Sequence, residues 1–257
     1  MTIAAADKLN DMAALGYCLL PQLLPLAQVT EALRKTDAMY AAGKNYPRSD
    51  GIVIANLQSK DPWFIPLLEN PLLEQILMGV LNDPYYRVIP DDQPNYILGE
   101  YIARASADQP LPLHIDSWLP SPGPDTWMTQ VAIALEDRGI EEGCSIIVPR
   151  SHRSGTFTDR ESKDTVSVPL KAGDAVLWDS RLWHGAHART SVRPGWALIA
   201  TFQRWWVKPR QDITGSLPRE IYTQLSDRQK ALLGFCSIPP LDEHHGSPKK
   251  GYKDLPP

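Results

Sequence analysis

Between residues 96 and 206 the chain is cut into short runs rich in β-branched and aromatic residues: Tyr96–Ile102, Leu113–Trp118, Trp127–Leu135, Ser145–Val148, Ser167–Leu170, Ala175–Trp178 and Trp196–Trp206. Pro, Gly and Asp fall between them, and Ala172-Gly173-Asp174 is a tight-turn signal directly before one run. Strands of this length and spacing belong to a sandwich or barrel. The flanks read differently. Residues 6–40 carry a helical pattern, broken near Gly16 by a short apolar strand that ends at Pro21. Leu26, Val29, Ala32, Leu33 and Thr36 then recur at helical spacing, and a second helix is predicted from about Trp63 to Leu81. Its Leu67, Leu68, Leu72, Ile76, Leu77 and Val80 mark one buried face. A last helical piece, about Leu217–Leu233, lies in a polar, Pro-rich stretch, and the tail after Pro239 is expected to be poorly ordered. The expected architecture is one domain over residues 1–257, mainly β with flanking helices. It divides into an N-terminal helical cover (1–90), a β-core (91–207) and a C-terminal helix and tail (208–257).

The net charge of −4 argues against a uniformly basic nucleic-acid binder. No apolar run approaches the roughly 20 residues that cross a bilayer, and no basic start leads into a long apolar stretch. Cys18, Cys144 and Cys236 are few, odd in number and far apart, as expected of isolated reduced thiols in a cytoplasmic protein. A small molecule is therefore the expected partner, rather than nucleic acid or membrane.

His114-Ile115-Asp116 places two metal-ligand types two residues apart, and on a strand such positions share a face. His184 is the natural third ligand: it follows the apolar run Ala175-Val176-Leu177-Trp178 and precedes Gly185, where the chain can turn. Two imidazoles and a carboxylate on one face of a metal leave positions open for a bidentate cosubstrate and O2, the facial arrangement of non-haem Fe(II) oxygenases. His-x-Asp alone is weak, since a His and an Asp in a polar turn give the same letters.

Several further segments, in order, carry a resemblance. Gly16-Tyr17-Cys18-Leu19-Leu20-Pro21, Pro112-Leu113-His114-Ile115-Asp116, Ala134-Leu135-Glu136-Asp137, Glu142 through Arg153 with its Pro149-Arg150-Ser151-His152, Val168 through Gly185, and Leu225 through Gly234 resemble segments of the phytanoyl-CoA dioxygenase family of Fe(II)/2-oxoglutarate oxygenases. The resemblance implies a double-stranded β-helix (jelly-roll, cupin-like) core with His114, Asp116 and His184 as iron ligands. It also implies Fe(II) with 2-oxoglutarate and O2 as cosubstrates, release of succinate and CO2, and oxidation of a C–H bond of a small organic molecule. Related halogenases carry a small residue in place of the carboxylate. Asp116 therefore argues for hydroxylation or a related desaturation or cyclisation.

In that family an Arg eleven residues after the distal His holds the cosubstrate's far carboxylate. Here that position is Gly195, and Arg193, of the same parity, is the expected substitute, with Arg189 as runner-up. Along 127–135, Thr129, Val131, Ile133 and Leu135 form a packing face. Met128, Gln130, Ala132 and Ala134 form the better cavity lining, from which Gln130 could bond the cosubstrate or serve a purely structural part. Trp118 shares the parity of Asp116 and could wall a substrate pocket or pack in the core. Arg104 could bind an anionic substrate or be solvated. His152 and His187 are read as lying outside the metal shell, and His244-His245 as solvent-exposed. Two other readings stay open: a cupin-like metalloenzyme that does not use 2-oxoglutarate, which Gly195 favours, and a small-molecule binding protein on a degenerate oxygenase fold, against which the intact triad speaks.

Overall fold

The alternation along β6 (Met128–Ala134) sets which way the layers face. In the computed structural model, which describes residues 2–48, 51–83, 85–192, 195–240 and 242, Val131 and Ile133 enter the main hydrophobic core. Gln130 and Ala132 point to the opposite side and line a cavity. That is the division expected of a strand with one packing face and one lining face.

β6 stands in a seven-stranded antiparallel sheet. Its order is β1 (Tyr17–Leu20), β9 (Ala175–Asp179), β6, β11 (Ala197–Arg204), β4 (Tyr96–Ser106), β3 (Gly51–Ala55) and β2 (Tyr46–Arg48). The second sheet runs β5 (Leu111–His114), β10 (His184–Ala186), β7 (Ser145–Ile147) and β8 (Val166–Val168), also antiparallel. The two sheets make the jelly-roll core that the strand pattern and the resemblance imply, with the cavity between them.

Helices cover the outer face of the larger sheet. α1 (Ile3–Leu15), α2 (Leu26–Ala41) and α4 (Pro71–Leu81) contribute Met12, Val29, Leu73, Ile76 and Leu77 to one cluster with Tyr101, Leu177, Leu198 and Phe202 of the strands. Each such side chain, fully buried, stabilises by about 1.5–3 kcal/mol relative to exposure. α3 (Leu57–Lys60), α5 (Ile213–Ser216), α6 (Arg219–Tyr222) and α7 (Asp227–Leu232) are short. No single helix among the described residues is long and apolar enough to cross a membrane.

The structure corrects several boundaries. Residues 1–90 are not a purely helical cover, because β1 extends one edge of the large sheet and β3 and β2 extend the other. The helix expected over 63–81 is a 3-10 helix, Pro62–Leu68, followed by α4 at 70° to it. Asn70 precedes Pro71, a position that disfavours helical backbone, and its side chain caps the Leu72 and Leu73 N–H groups to start a new helix. The helix expected over 217–233 is likewise split, because Ser226 and Gln229 form a reciprocal capping box that starts α7 afresh. The strand expected over 113–118 ends at His114. The three cysteines are free and buried. The tail after Pro239, with His244-His245, lies outside the described residues apart from residue 242.

Candidate metal centre

His114 closes β5 and His184 opens β10, and the two are cross-strand partners. Their rings lie 4.3 Å apart between centroids. Gly185 lets the strands approach: any Cβ there would collide with the Leu111 carbonyl. Its role is close strand contact rather than the turn its composition suggested, since it lies inside β10. Asp116 sits just beyond β5, so strand parity does not place it. Instead the N–H groups of Asp116 and Ser117 both donate to the Ser180 carbonyl, at 2.8 and 3.0 Å, and fold the chain back toward His184.

Ligand atoms from His114, Asp116 and His184 lie within 4.8 Å of one another. His184 Nε2 is 3.2 Å from Asp116 Oδ2, and His114 Nε2 is 3.8 Å from Oδ1. Each imidazole has its Nδ1 2.9 Å from the backbone carbonyl two residues earlier, Pro112 for His114 and Leu182 for His184. Those carbonyls hold the proton on Nδ1 and leave both Nε2 lone pairs facing the carboxylate. Asp116 Oδ2 is buried without a hydrogen-bond donor. Lone pairs converging on a buried carboxylate call for a cation, and an N2O donor set with open positions suits a first-row divalent metal. Burial alone would raise the Asp116 carboxyl, but His184 and His114, when protonated, and Arg210 outweigh it and keep it below the usual carboxylate range. Burial, reinforced by His184, lowers the His114 pKa and favours the neutral, ligating imidazole.

The cavity behind the triad is about 350 Å3. Gln130 lines it, and its Oε1 accepts from Thr201 Oγ1 at 3.2 Å. Arg104 lines it from β4, half-buried. Trp118 stands at its edge, 71% exposed, with φ +66°. A non-glycine residue in left-handed backbone costs about 1–3 kcal/mol and tends to mark functional positions. Arg193 lies outside the described residues. Arg189 does not line the cavity; it donates to the backbone carbonyls of Ser106 and Ser191. His152 is buried away from the triad against Gly16, and His187 pairs with Ser167.

Four residues of the site carried no sequence signal of their role. Arg210, from the polar C-terminal stretch, donates to the Asp116 carbonyl at 3.1 Å and lies 3.5 Å from its carboxylate and 3.8 Å from Glu100. Its guanidinium is 4.9 Å from the Trp118 ring centroid. Glu100 lines the cavity; burial raises its carboxyl, and Arg210 opposes that. The Trp178 ring packs 5.0 Å from His184. Arg138 enters from the turn after β6.

Comparison with known proteins agrees with this geometry. The phytanoyl-CoA dioxygenase family profile matches residues 13–194. Dioxygenase af480 of Aspergillus fumigatus is 25% identical, over 93% of this chain and 79% of its own. The non-heme alpha ketoglutarate dependent epimerase SnoN from nogalamycin biosynthesis superposes with a TM-score of 0.66 at 21% identity, covering 80% of this chain and 86% of that one. HygX from Streptomyces hygroscopicus, with nickel and 2-oxoglutarate bound, gives a TM-score of 0.63 at 16% identity over 82% and 90% of the two chains. These two likenesses speak to the fold, while the family match covers most of the chain. Fold, converging donor set and ordered motifs agree: the chain belongs to the phytanoyl-CoA dioxygenase family, whose members are Fe(II)/2-oxoglutarate oxygenases.

Proposed function

We propose that His114, Asp116 and His184 hold ferrous iron, and that the protein uses 2-oxoglutarate and O2 to hydroxylate a C–H bond of a small organic molecule. The observation that carries this reading is the pair of Nε2 lone pairs facing the Asp116 carboxylate, one oxygen of which is buried without a donor. Bound iron supplies oxidative decarboxylation of the 2-oxo acid to succinate and CO2, and with it the oxidising power for C–H attack.

The chain's own residues supply placement. Ser180 anchors Asp116, and the Pro112 and Leu182 carbonyls fix the imidazoles. Gln130 faces the cavity with its amide steadied by Thr201 and is suited to bond a carboxylate. Trp118 and Arg104 offer the substrate an apolar wall and a cation. The cavity bounds the substrate to a small molecule, in keeping with the structural relatives: SnoN has been crystallised with a nogalamycin compound and HygX with hygromycin B. A carboxylate at position 116 supports oxygen insertion, while the epimerase and carbocyclase names of relatives mark other fates of the same C–H activation.

The test is anaerobic titration of the protein with Fe(II) and 2-oxoglutarate, followed by oxygen. A weak visible charge-transfer band and substrate-stimulated succinate release are expected, with a product heavier by one oxygen. His184→Ala should lose both signals while keeping the wild-type circular dichroism. Iron-loaded wild-type protein with neither band nor succinate sinks the reading.

A further inference from the structure

Arg138 is a buried cation whose position the triad does not explain. It follows β6 and is 9% exposed, yet it lines the same cavity as His114 and His184. Of the other cavity-lining arginines among the described residues, Arg48 is exposed, Arg104 is half-buried, and Arg210 is engaged with Asp116 and Glu100. The Arg138 guanidinium donates to three oxygens, all neutral: the Gly195 carbonyl, the Gly143 carbonyl at 2.9 Å and Ser106 Oγ at 2.9 Å. These bonds fix the plane of the group and leave other N–H donors of the fork unspent. Burial of a guanidinium hydrogen-bonded only to neutral groups is costly; Arg104 adds like charge nearby, and the Glu136 and Glu142 carboxylates oppose it. Burial first, and Arg104 second, bring its pKa down to about 10, so it stays charged at neutral pH. A buried, oriented cation in a cavity is what an anion relieves.

Its place along the cavity is legible from β4. Glu100, Ile102, Arg104 and Ser106 alternate along that strand and face the cavity. Glu100 meets Arg210, which also meets Asp116, so Glu100 marks the metal end. Ser106 meets Arg138 and marks the other end. Toward the smaller sheet Arg138 holds the carbonyl of Gly143, two residues before Ser145, which pairs with Ala186, two residues past His184. Gly195 cannot do the same work: it has no side chain, its φ is +63°, a Cβ there would face Glu142, and its carbonyl is spent on Arg138.

We propose that Arg138 is the anchor for the carboxylate of the 2-oxo acid cosubstrate that lies farther from the metal, a role that rests on the oxygenase reading above. Arg138 thereby selects a dicarboxylate over a 2-oxo acid with an alkyl end.

The test compares 2-oxoglutarate with 2-oxovalerate, which has a methyl group where 2-oxoglutarate has its far carboxylate. Both are titrated anaerobically into Fe(II)-loaded protein, and binding is read from the charge-transfer band and from calorimetry rather than from turnover. Wild type should prefer 2-oxoglutarate by about 10- to 100-fold, the range of a charge-assisted hydrogen bond. Arg138→Met should bring 2-oxoglutarate down to the affinity of 2-oxovalerate and leave 2-oxovalerate unchanged, and Arg138→Lys should restore part of the preference. Since Arg138→Met removes a buried hub, Ser106→Ala is the milder companion, expected to weaken 2-oxoglutarate alone by a few-fold. Wild-type preference retained in folded Arg138→Met, or in both Arg138→Lys and Ser106→Ala, overturns the assignment. Absence of a band with either acid in wild type overturns the oxygenase reading itself.

Discussion

Asp179 and Arg181 form a buried ion pair beside the metal centre, with side chains 2% and 4% exposed. Arg181 Nη2 and Nε reach the carboxylate at 2.8 and 3.0 Å, and Thr126 Oγ1 donates to it at 2.7 Å. The same guanidinium also holds the carbonyls of Ser121 and Gly123. The segment after Asp116 is thus tied to the turn whose Ser180 anchors Asp116. Removing one partner strands the other charge. Asp179→Asn should therefore cost about 3–5 kcal/mol, read as a lower denaturation midpoint, and pairing it with Arg181→Met should recover part of that loss. An Asp179→Asn protein as stable as wild type would show the pair to be idle. At this scale the triad was legible because ligand chemistry limits which residues can serve and spacing limits where. Asp179, Arg181, Arg138 and Arg210 were not, since a charged residue in a sequence reads as solvated. Only strands distant in sequence decide which charges are enclosed.

Elements divide in the same way. The runs rich in Val, Ile, Leu and Trp became strands close to where the alternation put them, because their side chains suit a pleated, half-buried surface. β2 is Tyr-Pro-Arg and β10 is His-Gly-Ala, and neither carries a strand signal of its own. Their pairing with β3, and with β5 and β7, imposes extended backbone on them. The 3-10 turn Ser151–Arg153 shows a consequence of such packing. It presses His152 under the end of α1, against Gly16, with the ring buried. Burial lowers the His152 pKa, with Asp179 opposing and Arg153 and Arg181 assisting. The unfolded chain then binds a proton near pH 6.5 that the folded protein refuses until lower pH. The contribution is complete above about pH 6.5 and is lost as pH falls toward the folded value. Melting temperature should therefore fall between pH 7 and 5.5 less steeply in His152→Gln than in wild type. Parallel slopes would remove His152 from the account.

The molecule as a whole is built from unequal halves. The seven-stranded sheet is backed by helices and holds most of the core, including all-buried β6 and β9. The four-stranded sheet consists of strands of three or four residues, and β5, β7 and β8 are only partly buried. Asp116 follows β5, and both imidazoles of the proposed metal centre lie on the thinner half. This asymmetry bears on time rather than affinity. Opening free energies vary across a fold, and short, partly exposed strands open first. Amides of 111–114, 145–147 and 166–168 should exchange with deuterium well before those of 128–134 and 197–204. Added Fe(II) should slow exchange in 111–116 and 184–186 while leaving the large sheet unchanged; uniform protection across both sheets would contradict this picture. The residence time of a bound ion would then follow the flicker of one panel of the jelly roll, so an ion could come and go many times within the life of a single folded molecule.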